Sequence, residues 1–129
     1  EIDVEDVAEI ILRFANGAIG SVHLDLLQRP PVRVTRILGS EGTIEWNGIE
    51  GRARLYSAAT GEWRELAAST AHRNEMYLAE LRHFIDCVRE RRVPLVTGED
   101  GQRVLEIALA AKQSAESGRV KELDADKHG

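Results

Sequence analysis

The spacing of hydrophobic positions along this chain changes once, and the change divides it into two parts. From Val7 onward apolar and polar residues alternate, so that Ala8, Ile10, Leu12 and Phe14 fall on one side of an extended chain. After Asn16-Gly17 the alternation resumes, with Val22, Leu24 and Leu26 on one side and Ser21, His23 and Asp25 on the other. Asn-Gly between two period-2 runs predicts a β-hairpin with a type I′ turn, which needs positive φ at both central residues. Arg29-Pro30-Pro31 breaks the ladder, because proline donates no hydrogen bond and restricts the residue before it. Residues 32–38 are read as a third strand of the same sheet. Further strands are expected at 43–47, 52–57 and 62–66, separated by turn signals at Gly39-Ser-Glu-Gly42, Asn47-Gly48 with Gly51, and Thr60-Gly61.

Beyond a polar stretch at 69–73 the period becomes helical. Tyr77, Leu81, Phe84, Ile85 and Val88 recur at helical spacing, which predicts an amphipathic helix from Asn74 to about Arg91, ended by Pro94. Thr97 or Gly98 should cap a second helix whose first turn carries Glu99 and Asp100, where carboxylates suit the positive end of the dipole. Val104, Leu105, Ile107, Ala108, Leu109, Ala111 and Ala115 form its apolar stripe, and Gly118 stops it. Residues 120–123 could return as a short edge strand, and residues 124–129 read as a disordered tail. Strands followed by helices imply an α+β domain: an open, mainly antiparallel sheet with two helices on one face. The other face must then meet water, a partner domain or another subunit.

Composition narrows the function classes. At 129 residues the chain fits one domain. Its net charge of −5 argues against general nucleic-acid binding. Arg89, Arg91 and Arg92 cluster at a helix end, where cations complement the dipole. A lone cysteine, Cys87, allows no internal disulfide and suits a reducing, cytoplasmic setting. No apolar run approaches the ~18 residues that span a bilayer, so no membrane role is expected. The chain opens on Glu1 in mid-pattern, as a fragment of a longer polypeptide or a processed form would.

Candidate chemistry is sparse. Glu80 and His83 make a Glu-x-x-His pair, half of a di-iron motif whose second half is missing. His23 and Asp25 share one side of a strand, as an acid–base pair, an interface or a solvated face would. Cys87 lies on an apolar helix and reads as a buried structural thiol. Gly39-Ser-Glu-Gly42 and Gly98-Glu-Asp-Gly101 lack the Gly-x-Gly-x-x-Gly spacing of a phosphate loop, so no cofactor site is expected here. The polar run Ala71-His72-Arg73-Asn74 stands where helix N-terminal amides are unpaired, either as a solvated cap or as a place for an anion or polar ligand.

The run Phe14-Ala-Asn-Gly-Ala-Ile-Gly20, then Ile37-Leu-Gly-Ser-Glu-Gly-Thr-Ile44, then Asn74-Glu-Met-Tyr-Leu-Ala-Glu-Leu-Arg-His-Phe-Ile85, and finally Thr97-Gly-Glu-Asp-Gly101 with residues 105–118, resembles the C-terminal domain of the glucose–fructose oxidoreductase / inositol dehydrogenase (Gfo/Idh/MocA) family. The likeness covers residues 4–123, and its specificity lies in the order and spacing of the motifs. It implies residues 1–6 as the end of an interdomain linker and 7–123 as a substrate and oligomerisation domain. It also implies a parent NAD- or NADP-dependent enzyme acting on a sugar, nucleotide sugar or cyclitol. The glycine fingerprint and the catalytic lysine would lie in an N-terminal Rossmann domain outside this sequence, leaving the fragment inactive alone and without a cofactor. The implied pocket wall is His72, Arg73, Asn74 and Tyr77, then Gln28 and Arg29, exposed by the proline break. The implied surface of a homodimer or higher homo-oligomer is the uncovered sheet face: Glu9, Ile11, Arg13, Ser21, His23 and Asp25. A stand-alone interaction or small-ligand-binding module is the alternative.

Overall fold

The first hairpin is settled by its turn. In the computed structural model, which describes residues 5–69 and 73–123, strands β1 (Val7–Arg13) and β2 (Ile19–Asp25) pair antiparallel. Their loop holds three residues, Ala15, Asn16 and Gly17. The Phe14 carbonyl accepts from Gly17 N at 2.9 Å, Phe14 N donates to Ala18 O at 2.9 Å, and Asn16 Oδ1 accepts from Ala18 N at 3.0 Å. Gly17 alone in the loop takes a positive φ, +86°. The expected two-residue type I′ turn is therefore replaced by a three-residue loop with one left-handed residue. The reason is register. Ala8 faces Leu24 and Ile10 faces Val22. A two-residue loop centred on Asn16-Gly17 would slip the pairing by one and set Ile10 opposite His23, mixing the apolar and polar faces.

The strands divide into two sheets, a finer outcome than the single continuous sheet expected. β3 (Val34–Gly39), β4 (Gly42–Asn47), β5 (Arg52–Ser57) and β6 (Glu62–Ala68) form a four-stranded antiparallel meander, while β1 and β2 pair only with each other. The third strand begins at Val34, after the proline segment, whose Arg29–Pro30 peptide is cis. The Ser40-Glu41 turn between β3 and β4 packs close to β5. A Cβ on Gly42 would lie 2.0 Å from Tyr56 O, so only glycine fits there. Between β5 and β6 the register shifts by one residue next to Arg54, with Leu66 as the extra residue of a β-bulge.

This register gathers a charge ladder that no single strand shows. Arg36 on β3 faces Glu45 on β4, which faces Arg54 on β5. Glu45 Oε2 accepts from Arg36 Nε at 2.6 Å, and Oε1 accepts from Arg54 Nη2 at 2.6 Å. Arg54 also lies over the Trp63 ring, 4.3 Å from its centroid, and Trp63 meets Tyr56 at 5.5 Å. Arg52 donates to Glu65 from Nε and Nη2, each at 3.1 Å. The opposite face carries Ile37, Ile44, Trp46 and Leu55, and Arg33 lies 5.3 Å from the Trp46 ring centroid.

Two units make up the chain, Glu1–Tyr77 and Leu78–Gly129. The helices are α1 (Arg73–Glu90) and α2 (Gly98–Ser117). Arg91 follows α1 in the left-handed region (φ 54°), and Arg92 N donates back to Cys87 O at 3.0 Å. This is the C-terminal closure known as the Schellman motif, formed here without glycine. Arg92 also pairs with Glu90 at 2.6 Å. Thr97 is the N-cap of α2. Its hydroxyl oxygen accepts from Asp100 N at 3.1 Å, and Asp100 Oδ2 accepts from Thr97 N at 2.9 Å, a reciprocal capping box. The Thr97 backbone N–H and hydroxyl, both donating to the Asp100 carboxylate, hold it below its ordinary value. Gly118 (φ 64°) ends α2, as the sequence predicts. Residues 120–123 belong to no strand, which corrects the expected edge strand. Cys87, 3% exposed, is the one buried apolar residue among the described residues.

The Arg36 and Arg54 guanidiniums hold the Glu45 carboxyl below its ordinary value of 4.5. A depressed folded-state value means the ladder contributes stability above that ordinary value and loses it as pH falls through the folded one. Thermal melts of the chain should thus show an acid-side loss of stability that shrinks in Glu45→Gln. An identical acid limb in both proteins would contradict the assignment.

Candidate functional site

The parity of the hairpin places Glu9, Ile11, Arg13, Ser21, His23 and Asp25 on one face, because Glu9 pairs with His23, Ile11 with Ser21 and Val7 with Asp25. His23 Nδ1 meets Glu9 Oε1 at 2.5 Å, and Nε2 faces Asp25 Oδ2 at 3.8 Å. The imidazole is thus held between two carboxylates. Asp25 is tied further by its Oδ1, which accepts from Leu27 N at 2.6 Å and Gln28 N at 3.1 Å as the chain leaves β2. Apolar flanks complete this face: Ile11 is 80% exposed and Ile19 is 71% exposed. This face therefore sets a polar pair at its centre between two exposed isoleucines.

The residues expected along a pocket wall come from two places. Gln28 and Arg29 lie in the segment after β2, where Arg29 Nη1 donates to Gln28 O at 2.8 Å and to Leu26 O at 3.2 Å. Asn74 and Tyr77 stand in the first turns of α1, both exposed. Arg73 opens α1, while His72 lies outside the described residues. Among the described residues, no hydrogen bond or ion pair joins Asn74 or Tyr77 to Gln28 or Arg29.

Sequence reading passed over the charged cleft on the ladder face, about 170 Å³, lined by Glu45, Asn47, Glu50, Arg52 and Arg54. Its arginines already face Glu45 and Glu65, and Asn47 Oδ1 accepts from Ile49 N and Glu50 N, each at 3.0 Å. Cross-strand Arg–Glu–Arg spacing could have signalled it, but only once the register was known.

Among the described residues, neither glycine pair forms a strand–glycine-loop–helix unit. Gly39 and Gly42 flank a turn between two antiparallel strands, and Gly98 and Gly101 lie inside the first turn of α2, whose amides are served by its own capping box. Neither makes the strand–glycine-loop–helix unit that cradles a pyrophosphate. Among the described residues no group of three or more His, Cys, Asp or Glu side chains could hold a metal ion. None of their helices is long and apolar enough to cross a membrane.

The chain is 31% identical over 124 residues to the myo-inositol 2-dehydrogenase of Thermotoga maritima, covering 92% of this chain and 36% of that protein. It is 29% identical over 121 residues to the scyllo-inositol 2-dehydrogenase (NAD(+)) of Bacillus subtilis, covering 92% of this chain and 35% of that protein. The chain therefore spans about a third of the length of these curated relatives. No solved structure matches it significantly. A family model described as the C-terminal alpha/beta domain of an oxidoreductase family matches residues 1–123, and the chain belongs to that family, the C-terminal domain of Gfo/Idh/MocA oxidoreductases.

Proposed function

We propose that this chain is the substrate-facing and association part of an NAD- or NADP-dependent dehydrogenase that acts on a cyclitol or a related sugar. The observation that carries this reading is the family match over residues 1–123, in a chain that spans 36% and 35% of two inositol dehydrogenases. The absence of a pyrophosphate cradle among the described residues fits it: the cofactor belongs to an N-terminal Rossmann partner, and these residues alone are inactive. The lone cysteine suits a cytoplasmic protein. His72, Arg73, Asn74 and Tyr77, with Gln28 and Arg29, form the pocket wall. Their amide, guanidinium, imidazole and phenol groups can hydrogen-bond the hydroxyls of a polyol. An assay of the longer polypeptide that carries these residues tests the reading. Adding myo- or scyllo-inositol with NAD⁺ should produce reduced nicotinamide. Turnover of neither cyclitol nor any sugar would overturn it.

The hairpin face of Glu9, Ile11, Arg13, Ser21, His23 and Asp25 forms the contact between copies in a homodimer or higher homo-oligomer. Its apolar flanks and central polar pair support this assignment, and Ile11 is its most exposed apolar member. Ile11→Glu should shift the chain toward monomer in sedimentation at micromolar concentration, because a carboxylate buried at a contact without a partner is costly. An unsubstituted chain that is already monomeric would contradict the assignment.

A further inference from the structure

His83 has a role that neither the sheet nor the proposed pocket uses. It lies on α1, and its Nε2 accepts the backbone N–H of Leu95 at 3.0 Å, in the connection that leads to α2. The Cys87 sulfur, one turn further along α1, lies 3.5 Å from the same nitrogen. An amide N–H can only donate, so Nε2 must carry a lone pair, and the ring hydrogen of a neutral imidazole then sits on Nδ1. Leu95 comes two residues before Thr97, the N-cap of α2. One imidazole therefore ties the entrance of the second helix to the first, next to the most deeply buried apolar side chain described.

We propose that His83 is a proton-operated clasp on the connection between α1 and α2. When neutral, it holds the Leu95 amide. When a proton from solvent binds Nε2, the acceptor is gone, two N–H groups point at each other, and Leu95 turns to water. The charged groups around it do not replace that bond. On α1, Glu80 and Asp86 stand one turn before and after His83 in sequence, and Glu90 is taken by Arg92. The connection brings Arg91 and Arg92, and the first turn of α2 brings Glu99 and Asp100, the latter held by Thr97. Among the described residues, none of these carboxylates forms an ion pair with the imidazole.

Two measurements on the isotope-labelled chain test the clasp. Long-range imidazole nitrogen NMR at about pH 8, above the range in which free imidazole takes up a proton, should find His83 with its hydrogen on Nδ1. A hydrogen on Nε2 at that pH would overturn the proposal whether or not any variant folds. Protection of the Leu95 amide against hydrogen exchange, corrected for the intrinsic pH dependence, should fall about fivefold between about pH 8 and about pH 5, the effect of one net hydrogen bond. In His83→Gln, whose side-chain oxygen accepts at either pH, that protection should not change. Protection that is independent of pH in the unsubstituted chain, or equally dependent in His83→Gln, would overturn it.

Discussion

Strand register is the constraint on which the sheet part of this molecule depends. Side chains alternate across a strand, so a slip of one residue moves every apolar group to the wrong face. The hairpin meets this demand with three loop residues and a single left-handed glycine, Gly17. Ala8 and Ile10 then stand against Leu24 and Val22, and the polar residues of both strands collect on the far side. In the second sheet the same parity stacks Arg36, Glu45 and Arg54 across three strands. The bulge at Leu66 shifts the register by one, so that Ala53 and Arg52 meet Ala67 and Ala68 after Arg54 has met Glu65. The polar face of the hairpin and the charge ladder are both consequences of register, not of any local motif.

The helical unit rests on a different device, its ends. α1 closes through a left-handed arginine, a conformation that costs a non-glycine residue on the order of 1 kcal/mol or more. α2 opens through a reciprocal Thr97–Asp100 box, a cap of the kind whose loss costs about 1 kcal/mol. Between them the chain is short, and His83 reaches into it. Groups that would otherwise be unpaired backbone donors are thus met by side chains already fixed on a helix.

Much of this was legible from residue order, and what was not has physical causes. The switch from period 2 to helical period marks the strands and helices of the described residues, and Thr97 or Gly98 with Gly118 marks the bounds of α2. Asn16-Gly17 suggested the wrong turn because that dipeptide was read by itself. The parity of Ala8, Ile10 and Leu12 against Val22 and Leu24 already required an odd loop. The Arg36–Glu45–Arg54 ladder was hidden because its members are nine residues apart in sequence, and only pairing brings them together. In the sequence His83 stands out only as half of a Glu-x-x-His pair. Its bond to Leu95 depends on the path of a connection that periodicity does not describe. The family, by contrast, was carried by ordered short motifs, and the match over residues 1–123 bears it out.

We propose that this chain is the part of an oxidoreductase that shapes the substrate pocket and joins subunits, with the dinucleotide held elsewhere. Calorimetric titration of the 129-residue chain with NAD⁺ and NADH tests that division most directly. No heat of binding is expected at concentrations that saturate a dinucleotide enzyme. Tight, stoichiometric binding of either form to these residues alone would contradict it.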